Sequence, residues 1–156
     1  MKIKIRTAST KDIPDIDQVY VEGVIDEIKT QFPKRSKESI IKEMNKARKE
    51  RIFGFKKDIK SKDNYWVVAE INNKIIGFAN AEIKKNEGML RMLYIDKIFR
   101  KKGIGKKLTK IRIKWLRRKK VKSISAGILI KNKASINNLK NFGFKPISIK
   151  MELKQK

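Results

Sequence analysis

An apolar run from Met89 to Ile98 leads into Arg100-Lys101-Lys102-Gly103-Ile104-Gly105, and a basic, helix-patterned segment, Lys106 to Lys120, follows. A strand entering a glycine-bearing turn that opens a helix directs free backbone N–H groups, and the positive end of the helix dipole, at one spot. Such a junction is a natural anion site. The same glycines also suit a chain that merely turns, and the motif alone leaves both readings standing. The rest of the sequence narrows the chemistry by what it lacks. With no histidine and no cysteine among 156 residues, it offers neither the commonest metal ligand, nor the usual general base near neutral pH, nor a thiolate. Proton transfer falls to Asp, Glu, Tyr, Lys, the backbone or water, and no metal is expected.

The 42 basic and 16 acidic residues leave a formal charge of +26. A field of that size attracts polyanions over a Debye length of about 8–10 Å. RNA or DNA is one partner it admits. Because the charge is spread along the chain rather than gathered in a tail, a lysine-rich background accounts for it as well. No apolar run approaches the roughly 20 residues that span a bilayer. Met1 to Arg6 alternates apolar and cationic residues as a strand does and a signal peptide does not. The expectation is a soluble, cytoplasmic protein with no membrane partner, folded as one domain over residues 1–156.

These residues must be positioned by elements that the pattern also predicts. Lys2 to Thr7 reads as a first strand. Ser9 with Asp12 is a capping-box pattern, and Ile13, Ile16, Val19, Tyr20, Val24 and Ile28 recur at helical spacing, which predicts a helix from about Thr10 to Lys29. Ser36 caps a second helix carrying Ile40, Ile41, Met44 and Ala47 and ending near Ile52; Phe53 to Asn64 reads as an exposed connection. Tyr65 to Ile71, Lys74 to Lys84 and Met89 to Ile98, separated by Asn72-Asn73 and Asn86-Glu87-Gly88, form an antiparallel meander. Ile104, Leu108, Ile111 and Trp115 define one buried stripe of the next helix, so its lysines occupy the other faces. Ser123 to Ile130 reads as strand five, Ala134 to Phe142 as a short helix and Lys145 to Leu153 as a final strand.

Leu93-Tyr94-Ile95-Asp96 followed by Arg100 to Gly105 resembles the GNAT superfamily of N-acetyltransferases, whose signature is an apolar strand, a short loop and Arg/Gln-x-x-Gly-x-Gly/Ala opening a helix. Asn132, Ser135 and Gly143-Phe144 are similar to a second block of that family. The resemblance runs through the whole order of elements, βααβββαβαβ. It implies an α+β, three-layer fold with a mixed, mostly antiparallel sheet of about six to seven strands flanked by four helices, much as layered folds bury one face of each element. It also implies acetyl-CoA as donor and a primary amine, on a small molecule or a peptide, as acceptor. Carried over residue by residue, the N–H groups of Arg100, Lys101, Lys102, Gly103, Ile104, Gly105 and Lys106 hold the pyrophosphate. Leu93, Tyr94 and Ile95 pair with the pantetheine arm and supply an oxyanion donor, and Asn132 hydrogen-bonds the arm.

The family's proton-transfer residues do not carry over. Its tyrosine position is Leu139 here, and its glutamate positions are Met89 and Gly127. Direct attack by an amine still needs a carboxylate to take the ammonium proton, and Glu82 and Glu87 are the nearest by sequence. Glu82 is preferred because alternation from Phe78 and Asn80 places it on one face; an exposed glutamate balancing Lys84 is the plainer account. The positive surface disfavours polyamines and predicts a neutral or anionic acceptor. The other reading of the charge is a GNAT-fold module that docks nucleic acid or the ribosome, with catalysis weak or lost. A homodimer is compatible with such a fold, and the sequence does not select for or against it.

Overall fold

The computed structural model describes residues 2–153 and Gln155. Its sheet is laid down almost in chain order. β1 (Lys4–Thr7), β2 (Asn64–Ile71), β3 (Lys74–Lys84) and β4 (Glu87–Ile95) pair antiparallel in sequence, and β5 (Ile124–Ala126) joins β4 in parallel. Tight turns set the meander. Asn72, Asn73, Lys85 and Asn86 all adopt positive φ, the left-handed conformation that two-residue hairpins require and that asparagine tolerates best after glycine.

Between β1 and β2 run α1 (Ile13–Gln31), α2 (Lys37–Lys46) and α3 (Arg48–Lys60). α1 follows a short 3-10 turn in which Asp12 Oδ2 accepts from Ser9 N–H at 2.7 Å, the reciprocal half of a capping box, and Pro14 is tolerated in the first turn. Ser36 Oγ caps α2 by accepting from Ser39 N–H at 3.1 Å. α4 (Ile104–Arg118) and α5 (Lys133–Lys140) lie on the other face. Ile16, Phe55, Trp66 and Phe78 fill the layer under α1 and α3. Val67, Ile76, Ala79 and Leu108 fill the layer under α4, continued by Leu90, Trp115, Leu116 and Leu139 towards α5. The result is helices, sheet, helices.

Three expectations are corrected. Residues 53–60 are helical, not an exposed connection. Ile52, Phe55 and Ile59 are spaced three and four apart and pack on the Trp66 side of the sheet, while the interleaved lysines face outwards, so the helices among the described residues number five rather than four. Strand five was expected over Ser123 to Ile130 but stops at Ala126, because residues 127–132 leave the sheet to make the turn into α5, with Asn132 N–H donating to Leu129 O at 2.8 Å. The final strand, Lys145 to Leu153, is not formed. A three-residue β5 offers too short an edge to pair it, and Ile147, Ile149, Met151 and Leu153 are exposed. Among the described residues the sheet has five strands rather than six to seven, and the order is βαααβββαβα. No helix there is long and apolar enough to cross a membrane.

Candidate active site

The site forms where β4 loses a neighbour. β5 pairs with it only from Gly88 to Leu90, whereas β3 follows it to Ile95, so beyond Leu90 one edge of β4 is open. Asp96 N–H donates to Ile76 O at 2.9 Å, which fixes the alternation of the ladder. Ile76/Asp96 and Phe78/Tyr94 are the hydrogen-bonded pairs, and Leu93 and Ile95, opposite Ala79 and Gly77, direct their backbone groups away from β3. Ile95 O is taken by Arg100 Nε–H at 2.9 Å. The Leu93 and Ile95 N–H groups point into the opening.

A β-bulge precedes them. Ala81 stands opposite Leu90 and Ala79 opposite Leu93, so Arg91 and Met92 together face the single residue Asn80. Asn80 Oδ1 accepts from Met92 N–H at 2.9 Å. The extra residue reverses the faces of β4: Leu90 packs on the α4 side before it, and after it Leu93 and Ile95 do so while Met92 and Tyr94 turn towards α1.

After β4, Asp96 Oδ1 accepts from Ile98 N–H at 3.1 Å to hold a 3-10 turn, and Lys101 and Gly103 adopt φ of 60° and 76°. A Cβ at Gly103 would meet nothing within 4 Å, so glycine is favoured there by backbone conformation rather than by space. Gly103 is the N-cap of α4 and provides no side-chain acceptor; the first turn contains no acidic residue. The opening N–H groups of α4 are left for a ligand, with exposed Lys101, Lys102 and Lys106 around them. Arg100 is a clamp as well as a cation: it ion-pairs with Asp26 of α1 at 2.8 Å. Across the opening, Asn132 Oδ1 caps α5 through Ser135 N–H at 3.1 Å, and Asn138 Nδ2 donates to Thr109 Oγ1 at 2.9 Å. Leu139 is a core side chain packed with Trp115 and Leu116.

The α1 and α3 face of β4 holds the remaining polar groups. The Tyr94 ring lies against Gly23, where a Cβ would come within 2.2 Å of Cδ1, and its hydroxyl donates to Glu27 Oε2 at 2.9 Å. Burial, then the Glu27 carboxylate, raise the phenol well above its ordinary range. Tyr20 stands edge-on to Tyr94 and Phe55, with Arg51 over its other side, and Asp17 accepts from both Arg48 and Arg51. Glu82 sits opposite Met89, roughly 10 Å along the strand from Leu93 and on the other side of the bulge. It ion-pairs with Arg91 at 3.7 Å, and its charge, second to burial, raises the carboxyl of Asp58 on α3. Glu87 begins β4, exposed.

The family model of the acetyltransferase (GNAT) family matches residues 22–144. This chain belongs to that family. Several solved structures share its fold as well. PaiA N-acetyltransferase from Thermoplasma acidophilum, solved in complex with coenzyme A, is 23% identical over 93% of this chain and 91% of that one, with a TM-score of 0.78. A tetramutant of the BH1408 protein from Bacillus halodurans is 16% identical over 97% and 99%, with a TM-score of 0.76. The aminoglycoside acetyltransferase AAC(6')-Iy, in complex with the bisubstrate analogue CoA-S-monomethyl-acetylneamine, is 13% identical over 100% and 99%, with a TM-score of 0.69. Comparison of the sequence with curated proteins found no match.

Of the residues nominated from this GNAT sequence, the structure gathers Leu93, Ile95 and Arg100 to Lys106 along one edge and turn. Tyr94 differs from them, since its backbone pairs with Phe78 and its ring faces α1. Glu82 stands apart from that edge. Sequence reasoning missed Asn80, Thr109 and Arg112. The signal for Arg112 was its spacing four beyond Leu108, which puts it on the buried stripe rather than among the helix lysines.

Proposed function

We propose that this chain is an N-acetyltransferase that carries the acetyl group of acetyl-CoA to a primary amine by direct attack in a ternary complex. The observation that carries the reading is the coincidence of two unpaired sets of N–H groups, at the start of α4 and on the open edge of β4, joined by one short turn. Acetyl-CoA supplies an activated acyl thioester. The N–H groups from Gly103 to Lys106 bind the pyrophosphate, Lys101 and Lys102 offset further phosphate charge, and Asn132 holds the arm from the α5 side. The Ile95 N–H aligns the pantetheine, and the Leu93 N–H donates to the acyl oxygen, on which negative charge grows as the amine adds. Glu82, with Asp58 beside it, takes the ammonium proton through water, its single long contact with Arg91 leaving oxygen lone pairs available. Leu139, at the family's tyrosine position, is a core side chain and offers no hydroxyl, so the departing sulfur takes its proton from water.

The acceptor is neutral or anionic, in keeping with a charge of +26. A screen of amine classes with acetyl-CoA, read as free thiol released, tests the reading. Saturable turnover of a neutral or anionic amine supports it, and coenzyme A that fails to bind in calorimetry sinks it. Turnover of spermidine at moderate salt as efficient as that of neutral amines would overturn the charge argument alone.

A second reading is supported by the outer face of α4. Lys106, Lys107, Lys110, Lys114, Arg117 and Arg118 are all exposed, and none takes part in an ion pair among the described residues. Such a row suits association with a polyanion such as RNA or DNA. Affinity that falls steeply and linearly with the logarithm of salt concentration would support it, and affinity independent of salt would rule it out.

A further inference from the structure

Arg112, near the middle of α4, is 2% exposed and has no carboxylate partner among the described residues. Its Nη1 donates to Asn80 O at 3.0 Å and to Met92 O at 3.3 Å, its Nη2 donates to Thr109 Oγ1 at 3.1 Å, and its Nε–H has no partner. Thr109 Oγ1 also accepts from Asn138 of α5. Burial pushes the guanidinium down to about 10, so it stays charged near neutral pH. An isolated buried charge is expensive, and an apolar side chain of similar volume often serves stability as well or better. Packing therefore gives no reason for an arginine here.

The bulge does. Where Arg91 and Met92 face Asn80, the ladder is interrupted, and the carbonyls that accept from Arg112 are those of Asn80 and Met92. Asn80 Oδ1 holds the Met92 N–H, so the bulge is pinned by one side chain from β3 and one from α4. The next residue is Leu93, whose N–H points into the opening between β4 and β5. We propose that Arg112 is a positioning residue for acyl transfer: by gripping Asn80 O and Met92 O it fixes the bulge and thereby aims the Leu93 N–H at the acyl oxygen. This rests on the acetyltransferase reading above. A donor stabilises growing charge only when it is aimed in advance, so the effect falls on the chemical step. Coenzyme binding is spared, because the start of α4 lies eight residues away, about 12 Å along the helix.

The test combines steady-state kinetics with coenzyme A calorimetry on wild type, Arg112→Met, Arg112→Lys and Thr109→Val. In Arg112→Met, kcat falls about 30-fold, while coenzyme A affinity and KM for acetyl-CoA change by less than about twofold. Arg112→Lys keeps a charge but offers no planar fork, and loses about tenfold in kcat. Thr109→Val keeps the shape of the core and loses about threefold, which preserves the test should Arg112→Met fail to fold. Unchanged kcat in folded variants overturns the positioning role alone. A loss of kcat that only follows loss of folded protein, or that equally weakens coenzyme A binding, overturns it too. Wild-type protein that neither binds coenzyme A nor turns over acetyl-CoA would instead sink the reading on which the proposal stands.

Discussion

Along the open edge of β4 and the turn beyond it, the groups offered to a ligand are chiefly backbone N–H, whereas the opposite face, towards α1 and α3, offers side chains already bound to one another. The two faces differ in what specifies them. The donor edge needs a strand left unpaired, one left-handed glycine and a helix start, all lying within fourteen consecutive residues, Leu93 to Lys106. The other face is held by pairs that are distant in sequence. Tyr94 and Glu27 are separated by 67 positions, and Arg51 and Asp17 by 34. A backbone site survives most changes of side chain and fails when its few conformational residues change; a side-chain site has the opposite sensitivity.

The largest effect should come from spoiling the donor edge without disturbing the fold. A Cβ at Gly105 would lie 3.4 Å from Ile95 Cδ1 and 3.7 Å from Leu93 Cδ2, ordinary contacts, and its φ is not in the left-handed region. Gly105→Glu therefore folds. A carboxylate in the first turn of α4 even suits the helix dipole by about 0.3–1 kcal/mol. It repels phosphates at the same place, and coenzyme A affinity should fall by about 100-fold or more, close to 2.7 kcal/mol. Calorimetry beside a thermal melt checks both halves. Retained affinity in a folded Gly105→Glu would remove the phosphate cradle from this turn.

The acceptor side is probed next by Glu82→Gln, which keeps the shape and the neighbourhood of Arg91 while abolishing proton uptake. With Glu82 as base, kcat falls by about 100-fold at unchanged acetyl-CoA affinity, the low end of the range for general base catalysis because the proton travels through water. An unchanged kcat would reduce Glu82 to an exposed partner of Arg91 and leave the proton to solvent.

The same contrast explains what was readable in the sequence. Gly103 and Gly105 follow an apolar strand and precede a periodic helix, so residue type, spacing and element agree, and the strand–turn–helix junction was legible. The meander was legible for the same reason, since Asn72-Asn73 supplies both turn chemistry and left-handed backbone. α3 was not, because its lysines masked the spacing of Ile52, Phe55 and Ile59. The bulge at Asn80 and its grip by Arg112 were not either. A bulge is a mismatch between two strands, visible only once the register is known, and an arginine in a basic helix reads as surface until the stripe beneath it is counted. The alternation of Ile147, Ile149, Met151 and Leu153 reads as a strand, but alternation specifies a face and not a partner, and β5 is too short to provide one.

Tyr94 gives the smallest and sharpest test, because it lies between the donor residues Leu93 and Ile95 yet sends its side chain to the other face. Tyr94→Phe should leave coenzyme A affinity within about twofold and cost about 1 kcal/mol of stability, through the lost donor to the partly buried Glu27. The pH dependence separates this from a general packing defect. The folded phenol is held above the ordinary value near 10, first by burial and then by Glu27, so its contribution is fully present below that pH. As pH rises beyond it, the unfolded chain loses its proton before the folded one, and the stability gap between wild type and Tyr94→Phe narrows. Denaturant unfolding at pH 8 and at pH 11 reads the difference directly. A gap that is constant across that range would place the hydroxyl in water instead, and a large loss of coenzyme affinity would bring the side chain back to the donor edge.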